Sequence, residues 1–285
     1  MICARPRLAV VLLVLSVIGA TARTGNAEPL TLGVHPYLAP AEVTRRFAPL
    51  AEYLTKATGS TVSVKIAKSY QEHLDAVGQD QVDIGFMGPA SYVEMIDRYG
   101  HKPLLGRLEI SGKPSLYGVI AVRANGPIRD LQDLNGKRFA FGDQNSTMGY
   151  VVPYYVLAQA GVTIDKLRSH AFLNSHMNVV LGVLAGDFDA GAMKGEVFEK
   201  YQSRGLRVLA TTPEISEHVF IARKSLPADL IVSLRQALLA LKTHPQGKAA
   251  MHALNPEMTG VVPATDRDYD NLRTIFKALK NVDSK

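Results

Sequence analysis

The stretch that decides the fold is Phe139-Ala140-Phe141-Gly142-Asp143-Gln144-Asn145-Ser146-Thr147-Met148-Gly149-Tyr150. It predicts a short buried strand, a polar turn and the start of a helix. A helix start offers unpaired backbone N–H groups and a positive dipole end, and here it adds the hydroxyls of Ser146 and Thr147. Such a group of donors can bind an anion. Because Ser is also a preferred N-cap, a purely structural role for Ser146 stays open.

Strands and helices alternate on both sides of this stretch, as shown by their apolar periodicity. The predicted strands span residues 30–34, 61–67, 82–87, 104–110, 116–123, 169–173, 188–193, 206–210 and 219–222. The predicted helices span residues 41–58, 69–79, 90–99, 131–137, 149–160, 176–186, 195–204, 227–242 and 266–280. This order predicts an α/β fold with helices on the faces of parallel sheets.

The strand order also predicts two lobes. We expect extended crossings near residues 121–125 and 211–214, so that residues 28–122 and 215–285 form the first lobe and residues 123–214 the second. A pair of crossings makes a hinged cleft, and ligands of such sheets bind beyond the carboxyl ends of the strands.

The N-terminal residues are typical of a secretory signal peptide, with Arg5 and Arg7 before an apolar run at residues 8–20. We expect cleavage after Ala27, with Ala22 as an alternative. The run has thirteen residues, fewer than the roughly 20 needed to span a bilayer, so cleavage is favoured over membrane anchoring. The sequence therefore predicts a periplasmic protein.

Composition limits the remaining function classes. The predicted signal peptide, residues 1–27, holds three of the 32 basic residues and no acidic one, which leaves 29 basic against 26 acidic residues. This mild positive balance without a basic cluster gives no reason to expect nucleic acid as a partner. The only cysteine, Cys3, falls in the predicted signal peptide, so we expect a mature chain without disulfides.

The chain resembles the periplasmic binding proteins of importers for phosphate, phosphite and phosphonate, the PhnD-like family, along almost its whole mature length. The order and spacing of several short motifs carry the resemblance. They are Leu32-Gly33-Val34, Ser69-Tyr70, Val82-Asp83-Ile84-Gly85-Phe86-Met87-Gly88-Pro89, Asp143-Gln144-Asn145-Ser146-Thr147-Met148-Gly149, Ser175-His176 and Phe188-Asp189-Ala190-Gly191-Ala192. The resemblance implies a periplasmic binding protein type II fold of two α/β lobes, a phosphorus oxyanion as ligand and an ABC transporter permease as partner.

The resemblance also implies a set of ligand-binding residues. From the second lobe these are Ser146, Thr147, the backbone N–H of Met148, and His176. From the first lobe, Tyr70 and Tyr117 would close over the anion. Family members that bind aminoalkylphosphonates hold the ammonium group with two carboxylates, and here Glu196 and His218 occupy those positions.

Two of these positions depart from the family pattern. Met148 replaces a third hydroxyl of the usual Ser-Thr-Ser-Gly loop, and an oxyanion would lose one donor there, at a cost of about 1–3 kcal/mol if nothing substitutes. His218 replaces a carboxylate, and Lys194 lies two residues before Glu196. The histidine in place of a carboxylate and the lysine near Glu196 together weaken the case for a ligand with a cationic tail.

Each residue also has a structural interpretation. His176 could be a helix cap or a surface residue, and Tyr70 and Tyr117 could be core aromatics. Lys194 and Glu196 could form an ordinary surface pair. Tyr37 and Tyr92 lie near the same strand ends and are secondary candidates.

Other functions remain open at this stage. A liganded protein of this fold could dock on a membrane sensor instead of an importer. Asp143, Ser146 and His176 include the residue types of a hydrolase triad, but the Gly-x-Ser-x-Gly pattern is absent around Ser146. No cluster has the spacing of a metal site. We therefore expect a monomeric binding protein without catalytic activity or cofactor.

Overall fold

The structure is a computed structural model that describes Met1 and residues 28–283. The predicted signal peptide and its cleavage site lie outside the described residues, apart from Met1. Within the described part of the chain, no helix combines the length and apolar character needed to cross a membrane.

The described residues form thirteen strands and nine α-helices in alternation. The strands are β1 Leu30–Val34, β2 Val62–Ile66, β3 Ile84–Met87, β4 Leu104–Ile110, β5 Ser115–Leu116, β6 Gly118–Arg123, β7 Arg138–Phe141, β8 Ser169–Phe172, β9 Ala190–Lys194, β10 Leu206–Thr211, β11 Ile215–Ser216, β12 Val219–Ala222 and β13 Met258–Val262. The helices are α1 Pro40–Thr58, α2 Tyr70–Gly78, α3 Pro89–Tyr99, α4 Val152–Gln159, α5 His176–Ala185, α6 Gly195–Tyr201, α7 Ala228–Leu239, α8 Pro245–Leu254 and α9 Asp270–Asp283.

Two main sheets define two lobes, which confirms the predicted α/β fold. The first lobe holds six strands in the order β13-β4-β12-β3-β1-β2, and the second holds five in the order β10-β6-β9-β7-β8. Strands β1, β2 and β3 run parallel, as do β7, β8 and β9. Both sheets are nevertheless mixed, because β12 and β6 pair antiparallel to their neighbours. The predicted parallel pairing is therefore present, and antiparallel strands extend each sheet.

The crossing between the lobes differs from the predicted one. Strand β6 belongs to the second sheet, so residues 118–122 lie in the second lobe, and the expected crossing near residues 121–125 is wrong. The chain crosses instead at β5 and β11, which pair antiparallel as a two-stranded ribbon between the sheets. The apolar run at 116–123 concealed this break, because an apolar pattern does not reveal which sheet a strand joins.

The C-terminal part of the chain contains two elements that the sequence pattern missed, α8 and β13. Helix α8 packs against α1, and β13 pairs with β4 at the edge of the first sheet. Helix α9 was expected in the first lobe, but it packs against α4 of the second lobe as well as α3 of the first. Its apolar residues join a hydrophobic cluster that runs through both lobes.

One close approach fixes the position of α5 on the second sheet. A Cβ at Gly191 in β9 would lie 2.5 Å from a methyl of Val179, 3.0 Å from a methyl of Val183 and 3.2 Å from the carbonyl oxygen of Ala140. Both valines are fully buried, so they cannot move aside without disturbing their neighbours. The absence of a side chain at Gly191 therefore lets α5 lie close to β9.

We predict that Gly191→Ala destabilises the protein by about 1–3 kcal/mol through overpacking. Urea unfolding followed by circular dichroism measures this change. Gly260→Ala in β13 is the matched control, because its added Cβ would meet other side chains only at ordinary distances of 3.5 and 3.7 Å. A Gly191→Ala protein as stable as the Gly260→Ala protein would contradict the argument.

Candidate functional site

A cavity of about 620 Å³ lies between the two lobes. It opens where parallel strands end, as the rule for such sheets predicts. Its lining includes residues at the start of several helices. These are Tyr70 and His176, the first residues of α2 and α5, Glu196, the second residue of α6, and Gly88, which precedes α3. Because each helix start carries partial positive charge, the cavity attracts an anion.

The turn after β7 leads into an unusual helix start. Residues Thr147–Val151 form a π-helix ahead of α4, where a simple α-helix was expected. The N–H groups of Tyr150 and Val151 both donate to the carbonyl oxygen of Ser146, each at 3.1 Å. Single π-turns of this kind occur often at functional sites.

The backbone amides of this turn differ in their hydrogen bonds. The hydroxyl of Ser146 accepts from the N–H of Gly149 at 3.0 Å, so Ser146 is an N-cap. The N–H groups of Thr147 and Met148 have no hydrogen bond to another residue that the structure describes. These two amides are therefore available to a ligand in the cavity that Thr147 and Met148 line.

Two glycines hold the turn in this shape. Gly142 donates its N–H to the carbonyl oxygen of Gly149 at 2.8 Å. A Cβ on Gly149 would lie 2.7 Å from the hydroxyl oxygen of Ser146 and 3.1 Å from the Cα of Gly142. Close packing is therefore the reason for a glycine at position 149. Its φ angle is not positive, so backbone conformation does not require a glycine there.

The first lobe contacts the same turn. The hydroxyl oxygen of Thr147 accepts from the N–H of Ala90 in α3 at 2.9 Å, which leaves its own proton free to donate. Ser91 donates its hydroxyl to the carbonyl oxygen of Asn145 at 3.3 Å. Tyr70 is buried and hydrogen-bonded to Ser146, and burial raises the pKa of its hydroxyl. Both lobes therefore meet at the residues expected to bind the anion.

His176 is positioned to donate one hydrogen bond. It follows Ser175, which caps α5 by accepting from the N–H of Asn178 at 3.2 Å. The Nδ1 atom of His176 accepts from the N–H of Lys194 at 3.4 Å. Burial and the nearby Lys194 ammonium lower the pKa of His176 to about 4, so the ring is neutral and its proton lies on Nε2. His176 lines the cavity, and this proton is the one it can offer.

A buried ion pair forms another part of the wall. Lys194 Nζ lies 3.0 Å from Glu217 Oε1 and 3.5 Å from Glu196 Oε2. Glu217 also accepts from the backbone N–H of His218 at 2.8 Å and from its Nδ1 at 2.7 Å. Burial opposes ionisation of Glu217, but Lys194 and His218 outweigh it and hold the pKa of this carboxyl below its usual value. Lys194 therefore stays charged beside the cavity.

A model of the family described as "ABC transporter, phosphonate, periplasmic substrate-binding protein" matches residues 32–269. The chain belongs to this phosphonate-binding family. It is 27% identical to the phosphate-import protein PhnD of Mycolicibacterium smegmatis over 90% of this chain and 87% of that relative. It is 25% identical to the phosphonates-binding periplasmic protein of Escherichia coli K12, over 73% of this chain and 65% of that relative.

A solved structure shows the same fold. It is PhnD1 of Prochlorococcus marinus in complex with methylphosphonate, with a TM-score of 0.80 and 23% sequence identity, and the match covers 88% of this chain and 98% of that one. The membership in the phosphonate-binding family and this likeness confirm the predicted family and the two-lobe fold.

Most of the residues that the sequence singled out line the cavity. These are Tyr70, Ser146, Thr147, Met148, His176, Glu196 and His218. Glu196 lies toward the cavity mouth, where its side chain is 44% exposed and accepts from the side-chain amide of Asn255 at 3.1 Å. The side chain of Met148 is buried against Gly118 and Thr212, which leaves its backbone N–H as the ligand-facing donor.

Tyr117 was expected to close over the anion, and the structure contradicts this. Its ring packs against Gly195 and its hydroxyl donates to Glu199, outside the cavity. The neighbouring residue Leu116 lines the cavity instead. Tyr117 lies between β5 and β6, so its side chain is turned away from the cavity that Leu116 lines.

Sequence reasoning missed two residues of the site, His35 in the cavity lining and Glu217 behind it. It also left open a surface pair for Lys194, which is a buried residue of the lining. His35 follows β1 directly and Lys194 ends β9, so the rule that ligands bind at strand carboxyl ends could have found both. Of the two secondary tyrosines, Tyr37 lines the cavity, whereas Tyr92 is buried and donates to Asp266 at 2.8 Å.

Among the described residues, no group of three or more His, Cys, Asp or Glu is arranged to hold a metal ion.

The buried histidines next to the cavity predict an acid-sensitive fold. Burial lowers the pKa of His73 to about 4, and the residue is 2% exposed. Below pH ~6.5 the unfolded chain therefore binds more protons than the folded one, so stability falls as the pH falls from ~6.5 to ~4. His73 alone accounts for up to about 3 kcal/mol of this loss. Glu217, whose pKa is depressed, adds to the loss only below about pH 4.3.

Urea unfolding at pH 7 and at pH 4.5 measures this dependence. His73→Gln keeps a hydrogen-bond donor but cannot titrate, so the variant should lose less stability between the two pH values than the wild type. Equal losses in both proteins would contradict the assignment.

Proposed function

We propose that this protein is a periplasmic receptor that captures a phosphorus oxyanion, with an organic phosphonate as the preferred ligand, and delivers it to an ABC importer permease. The observation that carries the proposal is the pair of free amides at Thr147 and Met148, which face a cavity bordered by both lobes. The family of the chain, whose members are substrate-binding proteins of phosphonate ABC transporters, supports the same ligand class.

The binding mode follows from the donors in the cavity. The oxyanion accepts from the amides of Thr147 and Met148, the hydroxyls of Ser146 and Thr147, and the Nε2 proton of His176. Hydrogen bonds from these groups to a charged oxygen are stronger than neutral ones. Tyr70 and His218 approach from the first lobe. Because the contacts come from both lobes, the ligand binds the closed form better and shifts the population toward it.

The size and charge of the cavity favour a phosphonate with an organic substituent. Cavities of 300–1,000 Å³ hold drug-sized ligands, so about 620 Å³ leaves room beyond a phosphonate head group. Lys194 pairs with the carboxylate of Glu196, which could otherwise bind the ammonium group of a ligand. We therefore expect methylphosphonate and larger phosphonates with an uncharged alkyl substituent to bind more tightly than aminoethylphosphonate.

We infer that no chemistry is performed. The Ser146 hydroxyl accepts from Gly149, and the Nδ1 of His176 accepts from the backbone of Lys194, so no described histidine is hydrogen-bonded to Ser146 as a base. Measurable hydrolysis of phosphonate esters that is lost in Ser146→Ala would overturn this inference.

The ligand class is tested by a thermal-shift screen of the purified mature protein. The panel is phosphate, phosphite, methylphosphonate, ethylphosphonate, aminoethylphosphonate and sulfate. A tight ligand raises the apparent stability by mass action, and we expect the largest shifts with the two alkylphosphonates. A shift with sulfate and none with any phosphorus compound would refute the proposed ligand class.

The binding residues are tested by calorimetry with methylphosphonate. Ser146→Ala and Thr147→Ala each remove a donor to a charged oxygen, so each should weaken binding by roughly tenfold or more. Tyr117→Phe is the control, because the hydroxyl of Tyr117 contacts Glu199 outside the cavity, and its affinity should equal that of the wild type. Unchanged affinity in both Ser146→Ala and Thr147→Ala would contradict the assigned site.

A further inference from the structure

His35 is a buried imidazole in the cavity wall for which the proposed binding mode has no role. It follows β1, it is 2% exposed, and it lines the cavity beside Tyr70 and His218. Its ring centroid lies 4.8 Å from that of Tyr70 and 5.6 Å from that of His218.

The backbone fixes which nitrogen of His35 carries the proton. The carbonyl oxygen of Phe86 lies 3.3 Å from Nδ1 of His35 and 2.9 Å from Nε2 of His73. A carbonyl oxygen can only accept, so both of these nitrogens donate to it. The Nε2 atom of His35 therefore carries no proton unless the ring is charged.

The surroundings of His35 keep the ring neutral. The titratable groups that face it are His73 and Tyr70 from α2, His218 from the segment just before β12, Lys194 from β9, and Tyr37 from its own loop. Burial lowers the pKa of His35 well below its ordinary value, and the positive charge available at His218, His73 and Lys194 lowers it further. The one nearby buried carboxylate, Glu217, is already paired with Lys194 and His218.

The free nitrogen of His35 is close to the residues that would hold the anion. The hydroxyl of Tyr70, which packs on the His35 ring, bonds to Ser146. The ring of His218 stacks on that of His35. Its Nε2 atom and the hydroxyl oxygen of Thr147 both lie next to Gly88, on the side where a Cβ would be. No other described residue forms a hydrogen bond with Nε2 of His35. An acceptor without a partner therefore lies among the groups around the anion.

We propose that Nε2 of His35 accepts a hydrogen bond from a protonated oxygen of the ligand, so that the receptor selects the singly protonated, monoanionic form of a phosphorus oxyanion. This inference rests on the proposed function. An unprotonated ligand oxygen at this position would face the lone pair of Nε2 of His35, and this acceptor would stay without a hydrogen bond. Dianionic phosphonates are then poor ligands. Sulfonates and sulfate, which carry no proton at neutral pH, are disfavoured for the same reason.

Two ligands of the same shape but different acidity test this proposal. Methylphosphonate and difluoromethylphosphonate differ mainly in their second pKa, which the fluorine atoms lower. Calorimetry from pH 5.5 to pH 9 gives the affinity of the wild-type protein for each. We expect each affinity to fall about tenfold per pH unit above the second pKa of that ligand, so the break for difluoromethylphosphonate comes at lower pH.

The two possible failures of this experiment are distinct. A break at the same pH for both ligands means that a protein group titrates, for example His35 binding a dianion as an imidazolium, and overturns the role of His35. No binding of either ligand at any pH overturns the proposed function together with this inference. The comparison needs only the wild-type protein and so does not depend on the folding of a variant.

A variant then assigns the effect to His35. His35→Phe keeps a ring against Tyr70 and His218 but removes the acceptor, so at pH 6 it should bind methylphosphonate about 10- to 100-fold more weakly. Its affinity should no longer break at the second pKa of either ligand. His73→Gln is the matched control, because His73 donates to the same carbonyl without lining the cavity, and it should keep both breaks. Breaks that persist in His35→Phe would overturn the proposal.

Discussion

The unpaired backbone N–H groups at helix starts are the constraint on which this site depends. A parallel strand that ends at the cleft is followed here by a helix, and the first turn of a helix has donors without intrahelical partners. In this chain several such starts meet around one cavity, at Tyr70, Gly88, Ser146, His176 and Glu196. Buried donors without partners are unfavourable, so a small anion stabilises the cleft by satisfying them. The requirement for an anion thus follows from the topology.

In the proposed binding mode, the side chains around these helix starts add specific contacts to the general preference for anions. Ser146 caps its own helix, and Thr147 accepts from the first lobe at Ala90, so both hydroxyls are fixed in place before a ligand arrives. Lys194 is held beside the cavity by Glu217 and is not free to approach the anion as a mobile cation. Preorganised donors of this kind lower the ordering cost of binding. The three cavity imidazoles, His35, His176 and His218, add polar groups whose proton positions are set by the backbone or by Glu217.

The sequence predicted the alternation of strands and helices and the two lobes, because these follow from periodicity. Short motifs and the family resemblance they carry also identified seven of the eight expected binding residues correctly as cavity-lining. The sequence did not predict the break between β5 and β6, since residues 116–122 contain no charged residue to mark the end of one strand and the start of the next. Tyr117 was assigned to the site only through the family resemblance, and Leu116 lines the cavity next to it. The π-helix at Thr147–Val151 was missed as well, because it depends on the close contact of Gly142 with Gly149 and not on a helical pattern.

The missed site residues have a common physical cause. His35, Lys194 and Glu217 come from three different segments, and their roles depend on which neighbours they meet in space. Lys194 and Glu217 are 23 positions apart and form a buried pair. His35 acquires its role only because Phe86, 51 positions away, presents a carbonyl oxygen to Nδ1. Sequence patterns describe local structure well, but they carry little information about such long-range contacts.

The most direct test of the account is a crystal structure of the mature protein grown with methylphosphonate. The account predicts that the phosphonate oxygens lie within hydrogen-bonding distance of the backbone nitrogens of Thr147 and Met148 and of the hydroxyl of Ser146. A phosphonate bound elsewhere, with these two amides facing only solvent, would contradict it.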